Sequence, residues 1–136
     1  MLIASKPLDA AFGPRDSVTA FGRHQGTARF GGDFQTTRYD EDGNLLWSND
    51  DNFGFPDASP AAMALDRNSD VAEVGNVFVS ITQTSGFVAL YAADGRLQKT
   101  RLDPSRLVDV ARDSAGGIIV LGAHEASTIV TREPER

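Results

Sequence analysis

The chain of 136 residues contains no cysteine, a single tryptophan and only two histidines, His24 and His124. Without cysteine there are no disulfides, no zinc-thiolate sites and no cysteine nucleophile, although the compartment stays open. Positive charge is also scarce. Thirteen Lys and Arg face nineteen Asp and Glu, a net charge of -6, and the two signs are interspersed, which sets aside nucleic acid and anionic lipid as partners. No apolar run approaches a transmembrane helix, and the opening MLIASKPLD is too short in apolar residues for a signal peptide. The expectation is therefore no membrane and no export signal of its own. Gly-x-Ser-x-Gly elbows, phosphate-binding Gly-rich loops, dinucleotide fingerprints and paired-glutamate constellations are missing as well. No catalytic residue is expected, and no cofactor.

What is present is self-similarity. PLDAAFGPRDSVTAFG at 7–22 is answered by PAAMALDRNSDVAEVG at 60–75 and LVDVARDSAGGIIVLG at 107–122. Between them, DFQTTRYDEDGNLLW at 33–47 is answered by SGFVALYAADGRLQK at 85–99. The closing glycines Gly22, Gly75 and Gly122 lie 53 and 47 residues apart, so the two phrases alternate within one period. A period of that size signals stacked supersecondary units.

Each phrase reads as a β-hairpin. In the first, Val18 to Gly22, Val71 to Gly75 and Ile118 to Gly122 are short apolar or alternating runs preceded by turn residues such as Asp66-Arg67-Asn68-Ser69. In the second, Phe34 to Tyr39 and Phe87 to Tyr91 precede Asp42-Gly43 and Asp94-Gly95, and Asp-Gly between apolar runs is a strong hairpin signal. Two hairpins per period give four antiparallel strands of about four to six residues, with no window of helical periodicity. The expected fold is all-β: a β-propeller-like array of four-stranded antiparallel blades, under three blades in this chain, in one domain over 1–136. In this phasing Thr128 to Thr131 looks like the first strand of a further blade. The matched positions predict a core of Val18, Ala20, Phe34, Tyr39, Leu45, Trp47, Met63, Leu65, Val71, Val88, Tyr91, Leu97, Val110, Ile118 and Val120.

The string DFQTTRYDEDGNLLW, with the strands ending at Asp66 and Gly75 that follow it, resembles the bacterial SBBP-type β-propeller repeat. More distantly it is similar to quinoprotein-like propeller repeats. The resemblance spans Pro7 to Gly122, and the second period departs from it, with Lys99 where Trp47 stands and Ala92 where Asp40 stands. It implies an extracellular or cell-surface binding scaffold and transfers no catalytic residue.

Among the loops, Ser48 to Asp57 is longer than its counterpart and mixes acidic, amide and aromatic side chains. Asp50, Asp51, Asn52, Phe53 and Phe55 are the binding candidates, since loops on rigid sheets are where recognition concentrates. The plainer alternative is a connector with its aromatics tucked onto the sheet. Asp40-Glu41-Asp42-Gly43-Asn44 has calcium-like alternation but lacks the remaining ligands of a loop site, and its copy keeps only the turn residues, so no metal is expected. His24 and His124 each follow a repeated glycine by two residues, but the middle copy has Val77 there. Trp47 is expected between blades. These readings converge on a non-catalytic scaffold for a protein or peptide partner, functioning as a homo-oligomer or as part of a longer chain. The alternatives are a carbohydrate-binding lectin-like module or a fragment of a propeller hydrolase or quinoprotein.

Overall fold

The computed structural model describes residues 4–25, 32–80, 82–112, 117–124 and 127–133. All regular structure among them is β, apart from one short 3-10 turn at Pro14–Asp16. The first sheet runs β1 (Ala4–Phe12), β2 (Val18–Gln25), β3 (Gly32–Tyr39) and β4 (Leu45–Asp51). The second runs β5 (Ala58–Leu65), β6 (Val71–Ser80), β7 (Gln83–Tyr91) and β8 (Leu97–Asp103), and the third β9 (Arg106–Arg112), β10 (Ile118–His124) and β11 (Ser127–Glu133). Every pairing is antiparallel and joins sequence neighbours.

The strands are 7 to 10 residues long rather than four to six. The ladders continue beyond the apolar centre into polar pairs such as His24 with Asp33, because a backbone amide is satisfied by its neighbour whatever side chain it carries. Thr128 to Thr131 does not begin a new sheet. It lies in β11, which pairs with β10 throughout, Val120 opposite Thr131 and Ala123 opposite Thr128.

The turns follow from their residues. At Asp40–Asn44, Asp66–Asp70 and Ala92–Arg96 the first residue's N–H donates to the fifth carbonyl and the fourth residue's N–H donates to the first carbonyl. The fourth position is left-handed, φ 84° at Gly43, 92° at Gly95 and 65° at Ser69, which is why the Asp-Gly pairs sit there. The hairpins β1–β2, β5–β6 and β9–β10 each carry one register shift, leaving Leu8, Ala61 and Val108 unpaired. The hairpins β3–β4 and β7–β8 do the same at Leu46 and Gln98.

The sheets stack in chain order, with β5 against β1, β2 and β3, and β9 against β5, β6 and β7. The middle sheet is therefore covered on both faces, and β6 and β7 are buried almost without alternation. That accounts for the continuous apolar character of Phe87 to Tyr91, typical of a strand with no wet side. In the first sheet β3 alternates, with Phe34 and Thr36 inward and Gln35 and Thr37 outward.

This asymmetry corrects the expected core. Phe34, Met63, Val71, Val88, Tyr91, Val110, Ile118 and Val120 are buried. Val18, Ala20, Trp47 and Leu65 are only half-buried, and Tyr39, Leu45 and Leu97 are exposed. Leu45 and Leu97 start the last strand of their sheets, and Tyr39 lies on the face of the first sheet that no other sheet covers among the described residues. Trp47 leans across to the second sheet, its indole N–H donating to the Ala93 carbonyl at 2.9 Å.

Gly75 lies where three backbones and a ring converge. A methyl group there would run into the Ser59 carbonyl and stand 2.6 Å from the Phe34 ring, whereas at Gly122 the nearest atom would be 3.2 Å away. Gly75→Ala should therefore destabilise by about 3 kcal/mol and Gly122→Ala by less than about 1. Urea unfolding of the two variants checks this, and equal losses would contradict it.

Candidate functional site

The connector between β4 and β5 is built from two opposed sets of side chains. Asp51 Oδ1 accepts the Phe53 N–H at 2.7 Å and Asn52 Oδ1 accepts the Gly54 N–H at 3.0 Å, which closes the turn locally. Phe53 and Gly54 are both left-handed, φ 58° and 85°, so the backbone reverses sharply and swings the Phe53 ring inward. That ring lies 4.5 Å from Phe87 and 5.3 Å from Phe34, centroid to centroid, and Phe55 lies 5.8 Å from Phe87. Of the five binding candidates, Phe53 and Phe55 are thus pinned into the core between the first two sheets, while Asp51 and Asn52 shape the turn. Asp50 points outward from the end of β4 and is exposed.

The connector ends on a second anchor. Asp57 is buried, accepts the Gly32 N–H at 2.7 Å and ion-pairs with Arg23 at 3.1 Å, and its carbonyl accepts the Phe78 N–H. Both ends of the loop are thereby tied to the sheets.

Beside it, three strand ends bring His24, Asp33 and Asp50 together. His24 Nδ1 is 3.4 Å from Asp50 Oδ2 and 3.8 Å from Asp33 Oδ2. Partial burial raises the Asp33 pKa, the negative charge of Asp50 adds to that, and His24 offsets part of it. The cluster is an acidic patch rather than a metal centre: among the described residues no three His, Asp or Glu side chains are arranged to hold a metal ion. The side chain of His124 lies outside the described residues. At the opposite end of the first sheet, Asp40 turns its carboxylate on its own loop, accepting the N–H groups of Asp42 and Asn44 and the Asn44 amide. These hydrogen bonds, that from the Asn44 backbone first, lower its pKa.

Sequence reasoning missed the most unusual group in the molecule. Glu73, in the middle of β6, is fully buried between the first two sheets, where one carboxyl oxygen accepts the Thr36 hydroxyl and the other has no hydrogen-bond partner. The nearby Tyr91 hydroxyl is likewise buried without a partner. Desolvation pushes the Glu73 pKa up to about 8, opposed by the Thr36 hydrogen bond and reinforced by the charge of Asp51. Tyr91 is shifted upward by its own burial and then by Glu73. A signal for Glu73 was present in the repeat, since its aligned positions are Ala20 and Val120. Asn76, also missed, bridges sheets by mimicking a strand, donating to the Leu107 carbonyl and accepting the Leu107 N–H.

Because the folded pKa of Glu73 is about 8 against an ordinary 4.5, the native state holds a proton that the unfolded chain has released between those values. The contribution of Glu73 to stability is greatest below pH 4.5, falls as pH rises from there to about 8, and is flat beyond it. The loss is on the order of a few kcal/mol. Glu73→Gln retains an acceptor for Thr36 and should remove that slope, so unfolding at mildly acidic and mildly alkaline pH should separate the two proteins only at the alkaline end. An identical pH dependence in both would show that Glu73 does not titrate in this range. The chain matches no protein-family model and no curated protein sequence.

Proposed function

We propose that the three sheets are successive blades of a β-propeller-type array, a non-catalytic binding scaffold that contacts a protein or peptide through rim loops, chiefly Asp50 to Asp57. The stacking of each new sheet by its first strand on the sheet before supports the array reading, as do the register shifts shared between corresponding hairpins. The observation that carries the binding reading is the construction of the connector. Its aromatics and both ends are fixed, so the Asp50 carboxylate, the exposed backbone of Gly54 and the ring of Pro56 are offered to solvent with little conformational entropy left to lose on binding. An acidic rigid loop suits a segment bearing Arg or Lys. The packing of Phe53 and Phe55 against Phe87 argues against the lectin-like alternative, because neither ring is free to stack on a sugar.

Selection from a displayed peptide library tests this. Recovered peptides should be enriched in basic residues, and Asp50→Asn should weaken their binding by about tenfold, the order of magnitude of one charged contact. Peptides insensitive to Asp50→Asn, or whose footprint lies away from residues 50–57, would overturn the assignment.

A further inference from the structure

The first and third sheets end the stack with faces of opposite type, and we infer that they dock on each other: the outer face of the third sheet in one molecule packs against the outer face of the first sheet in a second copy.

The repeat makes residues of successive sheets equivalent. Val71, Met63 and Tyr91 of the second sheet are buried against the first sheet, Tyr91 only 2% exposed. Their counterparts in the first sheet are Val18, Ala10 and Tyr39. Tyr39 is 38% exposed, and Phe12, the counterpart of half-buried Leu65, is 78% exposed. The register puts Phe12 opposite Val18 and Val18 opposite Tyr39, forming one apolar row across three strands. Leu45 adds nothing to the argument, because its counterpart Leu97 is exposed in a sheet that is already covered.

The third sheet carries the matching half. Thr19 and Phe21 of the first sheet, and Ala72 and Val74 of the second, are buried against the next sheet in the stack. Their counterparts Ile119 and Leu121 are half-buried, and Ala111, paired with Ile119, is exposed, whereas its counterpart Ala64 packs into the core. One chain thus exposes both halves of a contact that it makes twice internally, with one difference: exposed Asp109, paired with Leu121, stands where the second sheet has buried Ala62.

Charge fits the same register. Stacked as the sheets stack within the chain, the β9 start would bring the exposed Arg106 to the end of the first sheet that carries Asp33 and His24. Within the chain, Arg23 of β2 already forms an ion pair at that end of the stack, with Asp57 on the connector that leads into β5. Because the two surfaces differ, the contact is heterologous and propagates into a closed ring or an open chain of molecules. The inference uses the faces of the sheets, and Asp50, 3.4 Å from His24, lies where that face meets the rim loop.

Complementary variants test it. Phe12→Asp with Tyr39→Asp blocks the first face, and Arg106→Asp with Ala111→Asp blocks the second; all four positions are exposed, so the fold should tolerate the changes, which thermal melts verify. By analytical ultracentrifugation at micromolar concentration, the unaltered protein should associate, each double variant should be a monomer, and an equimolar mixture of the two should give a species of twice the monomer mass. A monomeric unaltered protein overturns the inference and leaves the faces to another protein or to a neighbouring sheet of a longer chain. Association that survives either double variant, or a mixture that stays monomeric, overturns it equally. Peptide binding measured on the Phe12→Asp, Tyr39→Asp variant reports on the rim loop separately, so failure of one reading is distinguishable from failure of the other.

Discussion

Phe34 and the hole it fills govern how the first two sheets sit together. The ring is wholly buried, meets Phe21, Phe53 and Phe87 edge-on, and lies over Gly75, where any side chain would collide with it. A ring inserted against bare backbone fixes both the spacing of the sheets and their relative register, since sliding by one residue would bring the ring onto a side chain. The β4–β5 connector then has only one compact course, because Phe53 and Phe55 have to reach the same cluster. The course of the candidate binding loop is thus set by the core packing of Phe53 and Phe55 together with the turn hydrogen bonds of Asp51 and Asn52.

Against that apolar contact stands Glu73, a few residues away and in the same interface. A carboxyl group with a single hydroxyl donor is poorly compensated in a dry interior, so it remains a neutral acid over most of the physiological range. The charge that acts on it, that of Asp51, is of the same sign. The second and third sheets have no equivalent, since Val120 occupies the aligned place. The two inter-sheet layers consequently differ in kind. Between the second and third sheets a neutral amide, Asn76, hydrogen-bonds the Leu107 backbone, whereas between the first and second a carboxyl group joins β3 to β6.

How much of this could be read from residues depended on whether a position is decided locally. The hairpins were legible because Asp42-Gly43 and Asp94-Gly95 demand a left-handed residue, a local requirement met in the structure. The burial of Phe34 followed from its matched place in the repeat, whereas the alternation of β3 is visible only in the structure. Tyr39 and Tyr91 show where that logic ends: they are the same residue in the same phrase, yet the first is exposed and the second buried, because burial depends on whether another sheet covers the face. Thr128 to Thr131 fails for a related reason, as a short apolar strand carries no mark of which sheet it will join. In the candidate site, the acidic and aromatic residues of 48–57 stood out by composition, but their division into outward and inward sets required the left-handed turn at Phe53 and Gly54, which a phenylalanine does not advertise.

A stack in which every sheet is built on one plan cannot satisfy its own ends. Each interior interface joins a face carrying residues of the Tyr91 and Val71 type to a face carrying residues of the Phe21 and Val74 type, and a linear arrangement leaves one of each uncovered. The residual apolar exposure at Phe12 and Tyr39 is therefore set by the architecture and not by composition, and it persists for any number of stacked sheets until the two ends meet or are capped. On the first sheet, charged residues stand at the strand ends, at Asp33 and Asp50, and not in the row of Phe12, Val18 and Tyr39, whereas the third sheet carries exposed Asp109 beside Leu121 as well as Arg106 at the start of β9. In the register used inside the chain, Arg106 of one copy would meet the end of the first sheet that carries Asp33 in the next, so the pairing of opposite charges favours the aligned contact.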